Sequence, residues 1–224
     1  MRSDILVVGA TGGIGQHVVR KLIARDQAPR CLVRDKNHAE DLFDSEVELH
    51  IGDIREADTL PDAFEDIRVV ICATGSRMPF GNNSPQHVDY EGVLNLTMAA
   101  LAAQVEHFIL VSSLAVTRAE NNPLNNFGNV LEWKLRGEDA LRSSGLAYTI
   151  IRPGGLRDDP GGVFRIQFAQ GDHISGVISR EDVAEICLQA LNFPEAYNAT
   201  FEVVQMDEPG PNNWKDLFSV LESD

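Results

Sequence analysis

Gly9, Gly12 and Gly15 stand at three-residue intervals in Gly9-Ala10-Thr11-Gly12-Gly13-Ile14-Gly15, directly behind the apolar run Ile5-Leu6-Val7-Val8. Glycine at this spacing lets the chain turn sharply and lets its backbone approach a diphosphate. The helix start beyond the turn offers unpaired N–H groups and a partial positive charge. Placed between a first strand and a first helix, the pattern predicts a dinucleotide-binding turn. Nineteen residues after Gly15, Arg34 closes the second apolar run. A carboxylate at that place accepts from a ribose 2′-hydroxyl, whereas a guanidinium forks onto a 2′-phosphate. Lys36 adds to the positive field, and the intervening Asp35 competes with it. The balance favours NADP(H) over NAD(H).

Further candidates lie at the ends of later apolar runs. Asp53, in Gly52-Asp53-Ile54, is placed to accept from an adenine amino group while Ile54 packs on the ring. The competing role for Asp53 is to cap the next turn. Ala73-Thr74-Gly75 is a small-residue turn past which a sugar and phosphates fit closely. Ser112 and Ser113 end the fifth run, and Lys134 lies on the helical segment that follows.

Positioning these groups requires alternating short and long periodic segments. Strands are expected at Ile5–Val8, Arg30–Val33, Val47–Gly52, Val69–Ala73, Phe108–Ser112, Ala147–Arg152 and Thr200–Val204. Helices are expected near Gly13–Arg25, Asp58–Phe64, Gln86–Gln104, Val130–Ser144, Arg180–Leu191 and Trp214–Leu221. Several strands are continuous apolar runs, as in a parallel sheet buried on both faces. The order predicts an α/β fold: one Rossmann-type domain over residues 1–224, with a doubly wound, mainly parallel sheet of about seven strands. Three long loops, about 76–85, 115–129 and 154–176, fall on the ligand-binding edge and are expected to form lids or substrate walls. Ser179 with Asp182 three residues on reads as a helix cap.

The 224 residues carry 19 Lys+Arg and 34 Asp+Glu, a net charge of −15. That balance disfavours nucleic acid and anionic membrane surfaces as partners, but not a small anionic ligand held by local donors. Cys31, Cys72 and Cys187 match no zinc or redox spacing, and the six histidines match no metal spacing. Cys31 and Cys72 sit in apolar runs and read as core residues. The first residues lead straight into the glycine turn without the apolar stretch of a signal peptide, and no run approaches the length of a membrane span. A cytoplasmic location is expected.

Taken together, ILVVGATGGIG, LVRD, GDI, ATG, LVSS, KLRGEDALRSSGLAYTIIRPG and ISREDVA resemble the short-chain dehydrogenase/reductase superfamily, in its atypical, NmrA-like NAD(P)-binding branch. The resemblance covers nearly the whole chain. It implies that Gly9, Thr11, Gly12, Gly13, Ile14 and Gly15 hold a diphosphate and Arg34 a 2′-phosphate. Asp53 and Ile54 would contact adenine; Ala73, Thr74 and Gly75 the adenosine ribose side; Pro153 and Gly154 the nicotinamide. Ser112 and Ser113 match the active-site serine region, and Lys134 matches the lysine of a Tyr-x-x-x-Lys pair.

The tyrosine of that pair is Val130 here. Valine transfers no proton, so the family's general acid is missing from its own position. Lys134 keeps the role of anchoring nicotinamide ribose hydroxyls. Asp89 stands where many relatives have asparagine. The expected activity is reduction of a small conjugated acceptor of the flavin, quinone or tetrapyrrole class, with Ser113 and Lys134 as the catalytic candidates. The alternative is a non-catalytic NADP(H)-binding redox sensor, regulator or assembly factor with a protein partner. An extended-type sugar-nucleotide epimerase fits poorly, because the chain is short and lacks the tyrosine.

Overall fold

The computed structural model describes residues 4–43, 47–120 and 122–224. The opening Met1–Ser3 of the expected leaderless start lies outside them. β1 (Ile5–Val8) is buried along its length: Ile5 and Val7 face one hydrophobic core, Leu6 and Val8 the other. Successive side chains of a strand alternate between faces, so four apolar residues in a row require cover on both. The cover on one side is α1 (Gly13–Ile23), whose Ile14, Val18, Val19 and Leu22 bury a stripe at helical spacing. β2 (Arg30–Val33), α2 (Lys36–Glu40) and β3 (Glu48–Ile51) follow. Then come β4 (Val69–Cys72), a π-helical turn at Gln86–Glu91, α3 (Gly92–Ala102), β5 (His107–Val111) and α4 (Val130–Arg142). The chain ends with β6 (Tyr148–Pro153), β7 (Gly155–Arg157), β8 (Phe164–Ala169), β9 (Val177–Ser179), α5 (Arg180–Gln189), β10 (Ala199–Pro209) and α6 (Trp214–Phe218).

The main sheet has the order β3-β2-β1-β4-β5-β6-β10-β8. All its pairings are parallel except β10 with β8. α1 and α5 pack together on one face, and α3 and α4 on the other. The strand order reverses between β1 and β4, which opens a crevice above their carboxyl ends, where ligands bind in such sheets.

The sheet has eight strands rather than about seven, because the 154–176 segment is not an irregular loop. Phe164–Ala169 pairs with β10, burying Ile166 and Phe168 and exposing Arg165 and Gln167. Its period-two alternation is masked in the sequence by the flanking Gly161, Gly162 and Gly171. β7 and β9 bracket the same segment as a separate two-stranded parallel sheet. The expected helix at Asp58–Phe64 is two 3-10 turns, Ala57–Thr59 and Pro61–Phe64, since Pro61 cannot continue a helix. The expected helix from Gln86 starts as a π-helical turn and becomes α-helical at Gly92. β10 runs on to Pro209, well past the expected Val204. α2 was not anticipated; the Asp35 carboxylate caps it, accepting from His38 N–H at 3.2 Å. Cys31, Cys72 and Cys187 are all buried free thiols.

Candidate functional site

The glycine turn is built largely by main-chain contacts. Gly9 has φ +82°, and a β-carbon there would stand 2.8 Å from the Ala73 carbonyl oxygen at the end of β4. Only glycine lets the two turns touch. Gly12 N–H donates to Gly9 O at 2.8 Å, and a β-carbon on Gly15 would overlap that same carbonyl. Gly12 is the N-cap of α1, with no side-chain cap and no acidic residue in the first turn. The helix therefore presents free amides and its positive end to the crevice.

A cleft of about 300 Å³ opens between the ends of β1, β2, β3 and β4. It brings together Gly9, Thr11 and Gly12 with Arg34, with Asp53 and Ile54, and with Ala73, Thr74 and Gly75. Gly13, Ile14 and Gly15 lie at the start of α1 outside that lining, Ile14 and Gly15 being buried. Both Arg34 and Asp35 line the cleft; Asp35 Oδ1 also caps α2, and Arg34 Nη1 donates to Asn83 Oδ1 at 3.3 Å. Sequence reasoning missed Arg55, which grips both oxygens of Asp53 and donates from Nη1 to Asn82 O at 2.8 Å. Hydrogen bonding to the Arg55 guanidinium holds the Asp53 carboxyl below its ordinary range despite burial. Asp53 is thus an ion-paired acceptor rather than a simple turn cap, although its Oδ1 also accepts from Arg55 N–H. Ser76, Arg77, Met78 and Asn83 of the first long loop also line the cleft. No motif pointed to them.

The remaining candidates lie farther along the sheet edge, outside the cleft. Ser112 Oγ, at the end of β5, is buried and has no hydrogen-bond partner among the described residues; the same holds for Ser76 Oγ. Ser113 Oγ donates to Leu114 O at 3.0 Å. Lys134 Nζ lies 2.8 Å from Oδ1 of the buried Asp89, whose Oδ2 accepts from Ser76 N–H at 3.2 Å. Gly137 lets α4 close onto the π-helical turn there, because a β-carbon would overlap Asp89 O. Val130 begins α4, one turn before Lys134. Pro153 O accepts from Leu114 N–H at 3.0 Å, and a β-carbon on Gly154 would stand 2.5 Å from Gly176 O.

A second feature escaped the sequence. Asp172 is fully buried and holds the segment after β5, accepting from Ala115 N–H (2.7 Å), Thr117 N–H (3.0 Å) and Thr117 Oγ1 (2.6 Å). Burial alone would raise its pKa, but these bonds hold it below the ordinary value. They also fix Ala115 at φ +67°, a left-handed conformation costly for alanine. The two outer loops meet above: a β-carbon on Gly128 would overlap Pro79 O. Met78, Phe80 (78% exposed), Leu124 and Phe127 leave apolar surface uncovered on them.

The donor set fits a dinucleotide. Free amides at α1 match a diphosphate, Arg34 matches a further phosphate, and the unpartnered Ser76 and Ser112 hydroxyls match sugar or amide groups. Among the described residues no cluster of His, Cys, Asp or Glu is arranged for a metal, and no helix is long and apolar enough to cross a membrane.

Comparison with known proteins points to the same class of ligand. Residues 9–194 match the family described as NAD(P)H-binding. A chloroplastic protein of Arabidopsis thaliana is 37% identical over 96% of this chain and 81% of its own length. Sanguinarine reductase of Eschscholzia californica is 32% identical over 96% of this chain and 94% of its own. A photosystem II assembly factor of Trieres chinensis is 31% identical over 88% and 62%. Among solved structures, a Bacillus halodurans protein provisionally assigned to the NAD-dependent epimerase/dehydratases superposes with a TM-score of 0.80 at 27% identity, covering 92% of this chain and 95% of that one.

Proposed function

Since the chain belongs to the NAD(P)H-binding family, an atypical short-chain dehydrogenase/reductase-like group, we propose that it is an NADPH-dependent reductase of a small, planar conjugated acceptor. The observation that carries this reading is the exposed apolar rim of Met78, Phe80, Leu124 and Phe127, on two loops in contact at Pro79 and Gly128. Apolar side chains left exposed on a loop that lines a cleft and on the loop touching it favour a flat apolar ligand. The bound cofactor supplies a hydride, and a flavin, quinone or tetrapyrrole spreads the resulting charge over its rings until water delivers the proton.

That chemistry suits a site in which Val130 replaces the proton-donating tyrosine. The α1 amides would hold the diphosphate, and Arg34 the 2′-phosphate. Asp53 and Ile54 would meet the adenine, and Ala73, Thr74 and Gly75 the adenosine ribose. Ser112, Lys134, Pro153 and Gly154 would border the nicotinamide, with Ser113 beside the acceptor. The chain's contribution is then orientation and exclusion of water rather than acid catalysis. Mixing the protein with NADPH and panels of the three acceptor classes tests this: loss of reduced-nicotinamide absorbance is expected with at least one. Turnover no faster than the protein-free rate with all three overturns it.

A second reading rests on the Asp89–Lys134 ion pair. The lysine that relatives place beside their tyrosine is here paired with a buried carboxylate, and Val130 leaves the cofactor site without the tyrosine acid. Such a chain would serve as an NADP(H)-dependent regulator or assembly factor, in keeping with the name of its Trieres relative. It predicts a protein partner captured preferentially in one redox form of the cofactor.

A further inference from the structure

Gly13 differs from the other glycines of the turn in what it makes room for. Gly9, Gly12 and Gly15 are pressed against main chain, whereas a β-carbon on Gly13 would stand 2.7 Å from Cδ and 2.9 Å from Nε of Arg180. The stem of an arginine from the first position of α5 therefore lies on the first turn of α1. We infer that Arg180 is a second ligand of the cofactor diphosphate, one for which Asp158 competes. The inference rests on reading the cleft as an NADP(H) site and adds to it the arginine of the ISREDVA segment.

Helix stability does not explain this arginine. A cation at the first position of α5 has the wrong sign for that helix's dipole. α5 is already capped by Ser179 Oγ, which accepts from Glu181 N–H at 3.1 Å and Asp182 N–H at 3.3 Å. The neighbouring acids have other partners: Glu181 binds Lys21 (3.2 Å) and Gly161 N–H (3.0 Å), and Asp182 binds Gly162 N–H (2.7 Å). Arg180 Nη1 instead reaches Asp158 Oδ1 at 2.7 Å, and the Asp158 side chain is 87% exposed. An ion pair so open to water is weak. A diphosphate seated on the α1 amides offers the guanidinium a stronger, two-pronged acceptor. Asp158 belongs to the segment between β7 and β8, so exchanging it for the cofactor would let that segment respond to occupancy.

Equilibrium titration of the wild type, R180A, D158N and R34A with NADPH, NADH and adenosine 2′,5′-bisphosphate, which lacks the diphosphate, tests the inference. R180A is expected to weaken NADPH and NADH alike, by about ten-fold or more, and to leave the bisphosphate within about two-fold. D158N is expected to tighten both cofactors by roughly two- to five-fold. R34A gives the opposite pattern, losing NADPH and the bisphosphate but sparing NADH. Wild-type cofactor affinity in R180A with no gain in D158N overturns the inference alone. An R180A loss that extends equally to the bisphosphate also overturns it. Should R180A fail to fold, an unchanged D158N is sufficient to reject the exchange. Wild-type protein that binds neither cofactor overturns the cleft reading and this inference with it.

Discussion

Lys134 Nζ lies 2.8 Å from Oδ1 of Asp89, a carboxylate with almost no solvent exposure that also accepts from Ser76 N–H. The pair joins α4, the π-helical turn and the first residues of the loop after β4. Lys134→Met would leave the Asp89 charge buried without its cation. The expected cost is about 3 kcal/mol in urea unfolding, with most of it recovered when Asp89→Asn is added. A Lys134→Met protein as stable as the wild type would show that the pair contributes nothing to the fold.

Phe80 is expected to act on the acceptor and not on the fold. Its side chain is mostly in solvent, so Phe80→Ser should change stability by less than about 0.5 kcal/mol. KM for a planar acceptor should rise several-fold while KM for NADPH stays put. Equal effects on both would place the phenyl ring elsewhere than the acceptor wall.

The Asp172 clamp predicts a local effect. Asp172→Ala removes the acceptor for three donors from residues 115 and 117, so hydrogen exchange at 114–118 should accelerate far more than in β5. Ala115→Gly should instead stabilise the protein by roughly 0.5–1 kcal/mol, since glycine adopts φ +67° without the penalty alanine bears. A destabilised Ala115→Gly would mean that the methyl group's packing outweighs the backbone strain.

The acid limb of stability should trace partly to His107. Burial lowers its pKa to about 4; it bonds Thr149 Oγ1 at 2.9 Å and stacks on Tyr197. The unfolded chain binds a proton below about pH 6.5 and the native chain only near 4, so stability falls as pH drops through that window. The loss attributable to this residue is at most roughly 3 kcal/mol. Comparing the wild type with His107→Gln in urea at several pH values isolates it. Parallel pH profiles would remove His107 from the account.

The parts of this molecule legible in its sequence are those written locally. β1 and β2 have the expected bounds because the short apolar runs Ile5–Val8 and Cys31–Val33 leave little choice of register, and the glycine turn lies at the crevice because its spacing encodes a backbone shape. Long-range partnerships were not legible. Asp172 meets Ala115 and Thr117 across more than fifty residues of chain, and Arg55 reaches Asn82 from another loop. β8 was hidden for a different reason: the glycines around it are stronger local signals than its six-residue alternation. Asp35 was ambiguous until the helix it caps was seen.

Arg34 and Arg55 hold Asn83 and Asn82, and a few residues back along that loop Pro79 rests against Gly128 of the opposite loop. The two arginines of the cleft are therefore tied through one short stretch of chain to the exposed apolar side chains of both loops. Under the proposed function, replacing Arg34 to change the preferred dinucleotide would also release Asn83 and loosen the loop that carries Phe80. The two preferences would have to be re-engineered as a single trait.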